Sequence, residues 1–257
     1  MANNNNQNPI LRVDKLCKSF GGVITANDVS FSVYPGEIKG LIGPNGAGKT
    51  TMMNMISGIY TADSGDIYFD EKNITKLPDY KRVRMGLGRT FQTPRFLQRS
   101  SIRDNLLIGA DLGNKIGYLD GFFGKKSNNF QEDLQEMMEL LHFDFDWDDQ
   151  INSLPFGQRK LLEIVRSLLS NPRVMLVDEP AAGLNNKEIE YLMDILRMAA
   201  KKRNIGILLI EHSMDMIMDI CESIVVLSFG VVIAEGTPEE IANNQAVIEA
   251  YLGREDD

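Results

Sequence analysis

Gly40-Leu41-Ile42-Gly43-Pro44-Asn45-Gly46-Ala47-Gly48-Lys49-Thr50 passes from an apolar run into glycines, then into a lysine and a hydroxyl. Residues Gly43 to Thr50 fit G-x-x-x-x-G-K-[ST], the phosphate-binding loop. Glycines permit the dihedrals that turn successive backbone N–H groups toward an anion, and they leave no side chain in the way. The pattern arises by chance in a chain this long roughly once in a hundred. Its context makes it more specific, because the mechanism needs a buried strand before the loop and a helix after it. Ile38 to Ile42 reads as that strand. Gly48 to Ser57, stopped by Gly58, reads as the helix, whose N-terminus adds positive dipole. Lys49 is placed to reach the outer phosphates and the Thr50 hydroxyl to bind Mg²⁺.

Leu11 to Val13, Val29 to Val33 and Asp66 to Asp70 read as further strands upstream and downstream. From about Thr93 to Asn152 helical signals dominate. Gly109 to Asn129, rich in Gly, Asn and Lys, reads as a loop or insertion, and Phe130 to His142 as a helix with Leu134, Met137, Met138 and Leu141 on one face. Gln158 to Ser170 is a stronger helix, ended by Asn171-Pro172. Val174 to Val177 and Ile207 to Ile210 are continuous apolar strands of a parallel sheet, with a helix from Lys187 to Lys202 between them. A hairpin over Ile224 to Ala234 and a helix from Pro238 to Leu252 close the chain. Strands alternating with helices predict an α/β fold with a mostly parallel sheet.

Bulk properties narrow the function. The 257 residues suffice for a large core, and 27 Lys+Arg against 36 Asp+Glu give a net charge of −9. That charge argues against nucleic acid or anionic lipid as a general partner. Cys17 and Cys221 lack metal-ligand spacing and read as buried thiols of a reduced compartment. The asparagine-rich residues 1–9 read as a disordered tail without the features of a signal peptide. The longest near-apolar run, Ile224 to Ala234, falls short of the ~20 residues of a membrane helix.

Val174-Met175-Leu176-Val177-Asp178-Glu179 ends a buried strand in two acids. Beside a phosphate loop this pair is informative: Asp178 is placed to hold Mg²⁺ through water, and Glu179 to polarise an attacking water. Kinases that share the loop do not need both acids. His212 follows the Ile207–Ile210 strand at the end where such sheets bind ligands, a position suited to a γ-phosphate contact. Gln92, in Gly88-Arg89-Thr90-Phe91-Gln92-Thr93-Pro94, lies between the core and the helical segment and is a candidate sensor of Mg²⁺ and of the attacking water.

These motifs, with Leu154-Pro155-Phe156-Gly157-Gln158, stand in the order and approximate spacing of the ABC transporter ATPases, which the chain resembles from about Ile10 to Gly253. The resemblance implies a P-loop NTPase (RecA-like) core, an antiparallel β subdomain and a helical subdomain over about 93–158, in a single domain over 10–253 with a tail at 254–257. It implies MgATP held by Gly43, Pro44, Asn45, Gly46, Ala47, Gly48, Lys49, Thr50 and Thr51, metal contacts from Thr50, Gln92 and Asp178, and catalysis by Glu179, His212 and Gln92. Phe20 matches the aromatic residue that stacks on adenine. Pro155, Phe156, Gly157 and Gln158 match the signature phrase that serves the ATP of a second ATPase subunit. "GRTFQTPRFL", "DEPAAGLN", "LLIEH" and "EGTPEEIANNQAVIEAYLG" resemble the longer ATPase subunit of branched-chain amino acid importers. That likeness implies a peripheral protein on the cytoplasmic face of the cell membrane, bound to transmembrane permease subunits and served indirectly by a periplasmic substrate-binding protein. Urea, amide and lipopolysaccharide systems use closely similar ATPases, as do soluble scaffold machines, and no residue here identifies cargo.

The signature phrase departs from Leu-Ser-Gly-Gly-Gln at Pro155 and Phe156, and Asn185 stands where the family usually has Asp. Pro155 removes one hydroxyl and its own N–H but leaves Gly157, Gln158 and the dipole of the helix that follows. A lost hydrogen bond to a charged group costs on the order of 1.5–3 kcal/mol, which weakens a site without abolishing it. The expectation is an asymmetric pair: this chain hydrolyses ATP at its own P-loop and offers its partner a weaker lid.

Overall fold

The computed structural model describes residues 7–90, 94–113, 128–143 and 145–252. A six-stranded sheet runs β10 (Val231–Gly236), β9 (Ser223–Ser228), β3 (Ile38–Ile42), β8 (Gly206–Ile210), β7 (Val174–Asp178), β6 (Leu87–Arg89), parallel throughout except for β10. Its strands are apolar on both faces because both faces are covered. Met175, Val177, Ile207, Leu209, Ile224 and Val226 face one core, while Val174, Leu176, Leu208, Ile210, Val225 and Leu227 face the other. The first core is closed by α5 (Phe156–Leu169), α6 (Asn186–Arg203) and α7 (Met214–Ile220). The second is closed by α1 (Lys49–Ser57) and by an antiparallel sheet ordered β2 (Val23–Val33), β1 (Leu11–Phe20), β4 (Ser64–Phe69), β5 (Lys72–Asn73). The α/β reading therefore holds, with the antiparallel sheet stacked on the parallel one.

Helices α3 (Ile102–Gly113) and α4 (Asn128–Leu141) lie against α5. Met137 and Leu141 are fully buried there, with Leu134 and Met138 packed beside them, so the methionines are core residues as expected. Several short elements escaped the sequence reading, among them α2 (Asp79–Arg84), β5, edge strand β6 and α7. Each is too short to show a period. β1 and β2 extend far beyond Leu11–Val13 and Val29–Val33. Their pairing shifts register between Val13 and Leu16 and between Leu16 and Lys18, and Lys15 and Asp28 adopt positive φ, so the two-residue alternation is lost midway.

The region expected to loop from Gly109 to Asn129 is helical at both ends, in α3 and α4; residues 114–127 lie outside the described residues. Helix α5 starts at Phe156, two residues before the expected start. The expected C-terminal helix is two helices, α8 (Pro238–Ala242) and α9 (Gln245–Leu252). The Asn244 side chain accepts from the Ala246 and Val247 N–H groups and so starts a new helix there. Cys221 is buried as expected, and burial pushes its thiol up to about 12, but Cys17 is only half-buried. The tail expected at residues 1–9 is described only from residue 7, and 254–257 lie outside the described residues.

The end of α1 is held by an unexpected group. Gly58 caps it at φ 88°. Arg82, 2% exposed, donates from Nη1 to the Met55 and Ile56 carbonyls at 2.7 and 2.8 Å, from Nε to Leu77 O at 2.9 Å and from Nη2 to Thr75 O at 2.9 Å. One guanidinium thus joins the helix that leaves the phosphate loop to the strand–turn segment beyond it. Arg82→Met should lower unfolding free energy by roughly 3 kcal/mol, because it leaves buried carbonyls unpaired. Urea denaturation followed by circular dichroism checks this; a loss below about 1 kcal/mol contradicts the assignment.

Candidate active site

Strands β3, β7 and β8 are parallel and in register, so their C-terminal ends lie along one edge of the sheet, where open α/β sheets bind ligands. Asp178, the last residue of β7, pairs with Ile210, the last of β8. The phosphate loop leaves β3 at the same edge. It passes very close to other backbone: a methyl group at Gly43 would overlap the Leu227 carbonyl oxygen, and one at Gly48 the Thr25 carbonyl oxygen. Both glycines have positive φ (150° and 102°). They are thus required by packing against β9 and β2 as well as by any phosphate. Gly46, by contrast, faces open space. Pro44 is half-buried, Asn45 exposed and Ala47 buried; Thr50 is exposed and Thr51 half-buried on the first turn of α1.

Lys49 is 7% exposed, and its Nζ donates to the carbonyls of Gly43 at 2.7 Å and Pro44 at 3.1 Å. Burial pushes its pKa down; Glu179 and then Asp178 oppose that shift. The ammonium is held over the start of the loop, facing both acids.

Asp178 is 4% exposed. Burial pushes its carboxyl above the usual range, against the pull of Arg89, while Glu179 adds to the rise. The Arg89 Nη2 lies 3.6 Å from Asp178 Oδ2, and Nη1 donates to Asn54 Oδ1 at 2.8 Å and Ser57 Oγ at 2.6 Å. Asp178 Oδ1 is buried and has no hydrogen-bond partner among the described residues. An orphaned carboxylate oxygen and an exposed threonine hydroxyl near a lysine are hard oxygen donors of the kind Mg²⁺ takes. The residues present fit that ion.

Glu179 and His212 meet: His212 Nε2 lies 2.9 Å from Glu179 Oε1. Both remain accessible, with side chains 24% and 51% exposed. Glu179 has φ 48°, and its N–H donates to Ile210 O at 2.9 Å. Gln92, expected near them, lies outside the described residues.

Phe20 is no core aromatic. It is 42% exposed at the end of β1, with the edge of Tyr60 against it at 5.3 Å between ring centroids. Lys18 Nζ lies 5.1 Å from its ring centroid and is held by Asp63 at 2.7 Å. An exposed ring flanked by Tyr60 and Lys18 leaves π-surface that suits stacking by a flat ligand.

The 154–158 phrase forms the start of α5. Pro155 is its exposed N-cap, without a capping side chain, and Phe156 is 44% exposed. The Phe156 ring packs on its own chain's Gly183, where a methyl group would come within 3.1 Å. Gly157 is packed so closely by Glu188 that a methyl group would overlap the carboxylate. Glu188 is the third residue of α6 and closes a capping box with Asn185. Asn185 therefore caps a helix, a task Asn and Asp perform alike.

Three functional candidates were missed in the sequence: Arg89, Lys160 and Glu211. Glu211 directly follows a buried strand, the same signal that marked Asp178. Arg89 and Lys160 carried none, since each looks like an ordinary surface charge. Among the described residues no group of three or more His, Cys, Asp or Glu forms a metal cluster.

Residues 26–182 match the ABC transporter family, and residues 231–257 match the branched-chain amino acid ATP-binding cassette transporter family. The chain is 38% identical over 255 residues to the high-affinity branched-chain amino acid transport ATP-binding protein BraF of Pseudomonas aeruginosa, covering 95% of this chain and 98% of that protein. It is 37% identical over 250 residues to LivG of Escherichia coli K12, a protein of the same description, covering 95% and 98%. Among solved structures, the ADP conformation of MJ1267, an ATP-binding cassette of an ABC transporter, superposes with a TM-score of 0.81 at 32% identity, covering 96% of this chain and 99% of that one. A nucleotide-free ATP-binding cassette from an ABC transporter gives 0.79 at 34%, covering 96% and 100%.

Two outcomes are expected. Phe20→Ala should weaken ATP binding roughly tenfold and Phe20→Tyr should not, as read by isothermal titration calorimetry. Asp178, raised above its unfolded pKa, binds its proton more tightly in the folded chain. Its charge thus costs stability that is lost as pH rises from the unfolded pKa to the raised one. Asp178→Asn should then leave the nucleotide-free protein at least as heat-stable as wild type at neutral pH, while Mg²⁺ no longer tightens ATP binding; a lower melting temperature contradicts the cost assigned to the charge.

Proposed function

This chain belongs to the ABC transporter family of ATP-binding proteins, and on that premise we propose that it is the ATP-hydrolysing, energy-coupling subunit of a branched-chain amino acid importer. Family membership carries the ATPase activity. Cargo rests on the match of residues 231–257 to the branched-chain cassette family and on the names of relatives that cover the whole chain. In this reading the protein lies on the cytoplasmic face of the membrane against permease subunits and, through them, is served by a substrate-binding protein. No helix among the described residues is long and apolar enough to cross a membrane. Residues 10–253 act as one ATPase domain, with the helical segment over about 93–158 carrying the signature helix.

The observation that supports this best is the Glu179–His212 pair, 2.9 Å apart at the strand ends beside the phosphate loop. Phe20 stacks on adenine. The backbone from Gly43 to Thr51 and the ammonium of Lys49 bind the phosphates. Thr50, Gln92 and Asp178 would hold Mg²⁺, which would supply charge neutralisation for the phosphates. Glu179 accepts a proton from the attacking water as general base, and His212 holds that carboxylate in place and contacts the γ-phosphate. Only a facing subunit can complete the site, because Pro155 to Gln158 belong to a surface turned away from the chain's own P-loop in this reading; they serve the ATP of a second ATPase subunit.

The test is Glu179→Gln, which slows hydrolysis and traps bound ATP. On a sizing column with MgATP the variant should form a dimer only when the second ATPase subunit is added. A homodimer of the variant alone contradicts the asymmetric pair, and wild-type hydrolysis by the variant contradicts Glu179 as the base. Pro155→Ser should restore a hydroxyl to the lid and strengthen ATP-dependent dimerisation roughly tenfold. No change in dimerisation contradicts the weak-lid assignment.

A further inference from the structure

The turn that carries Glu179 is held by two buried charges that the mechanism above does not use. Lys160, on the second turn of α5, is 3% exposed. Its Nζ donates to the carbonyl oxygens of Glu179 at 2.8 Å and Ala182 at 2.7 Å. Glu211, 5% exposed, accepts from the Ala181 N–H at 2.6 Å through Oε1 and from the His212 N–H at 2.9 Å through Oε2. The turn is thus gripped through its carbonyls from one side and through an amide from the other. Glu179 needs such a grip: a φ of 48° is unfavourable for a residue with a Cβ and persists only where its surroundings impose it. Burial pushes the Lys160 pKa down, while Glu211, Glu179 and Glu163 favour the charged form.

We propose that Lys160 is a positioning residue for hydrolysis: it fixes the Glu179–Ala182 turn, and with it the aim of the Glu179 carboxylate, from the helix whose N-terminus serves the facing subunit's ATP. Lys160 lies five residues after Pro155 on that helix. Phe156 on Gly183 and Gly157 on Glu188 add two more contacts between the start of α5 and the segment after Glu179. A displacement of the α5 N-terminus therefore acts directly on the catalytic turn. The helix whose start closes over one ATP thereby sets the geometry at the other. Lys160 touches no phosphate in this arrangement, so its removal changes turnover and leaves nucleotide capture intact.

The proposal rests on Glu179 as the general base, and the experiment separates the two. Lys160→Met keeps length and apolar bulk and removes the charge and donors. It is measured in the ATP-dependent dimer formed by the full chain, alongside Glu179→Gln, by steady-state hydrolysis, equilibrium ATP binding and amide hydrogen exchange. The expected result is a kcat about 30-fold lower with KM and ATP affinity within about threefold of wild type, since a misaimed general base affects the step and not the binding. Amides of residues 180–184 should exchange about tenfold faster, with the P-loop helix unchanged. Should Lys160→Met not fold, Lys160→Gln carries the same test, its donors falling short of both carbonyls. A folded variant with kcat and exchange within about twofold of wild type overturns the proposal, as does a parallel loss of kcat and ATP affinity. If Glu179→Gln also hydrolyses at the wild-type rate, the base assignment has failed instead.

Discussion

A sheet buried on both faces can place charge only at its ends. Apart from Lys39 near the start of β3, which pairs with Glu235, strands β3, β7 and β8 have apolar residues facing both cores, so the polar side chains they bring to the site come where the strand stops. Their parallel register makes those stops coincide. The phosphate loop, Asp178-Glu179 and Glu211-His212 are brought together by that constraint. Their burial also explains their electrostatics. Asp178 is raised and Lys49 lowered because both ionise where water is scarce, and each is one of the charges that limit the other's shift.

Close backbone approach is the second constraint. The loop after β3 has to squeeze between β9 and β2, and only glycine at Gly43 and Gly48 clears the Leu227 and Thr25 carbonyls. The same squeeze holds the antiparallel sheet, with Phe20 at the end of β1, against the phosphate loop. Arg82 ties off the far end of α1 through four carbonyls. The loop is therefore anchored at both ends of its helix, which leaves its exposed middle, Asn45 and Gly46, as the part able to adapt to a ligand.

How legible this was depended on how far apart the interacting residues lie. The P-loop, the acid pair and the buried strands were legible because each is a contiguous string with its own chemistry. β3 and α1 fell where their residues predicted, and Phe20 is exposed. The long β1–β2 hairpin was half missed because bulges at Lys15 and Asp28 reset the side-chain alternation. Arg82, Arg89 and Lys160 were missed for another reason. A buried cation is recognised by the carbonyls and carboxylates that surround it, and those come from segments such as Met55, Asp178 and Ala182 that no local pattern connects to it.

Pro155 departs from the signature serine, and the geometry around it shows in physical terms what the departure costs. As N-cap, Pro155 has φ −52° and ψ 154°, close to what its ring prefers, so the proline is accommodated without strain. It lacks the oxygen that Ser would offer to the second or third N–H of α5, and no other side chain caps that end. The N–H groups of Phe156, Gly157 and Gln158 therefore remain the helix's own orphan donors, still aligned with its dipole. A decayed signature would be expected to lose its packing first. Here Gly157 is still required by Glu188, Phe156 still covers Gly183, and Lys160 still grips the catalytic turn. The substitution has removed a hydroxyl and an N–H on the outer surface and left intact the inner contacts that join the phrase to Glu179. That pattern fits the proposed lid of altered strength, still joined to the turn that carries Glu179.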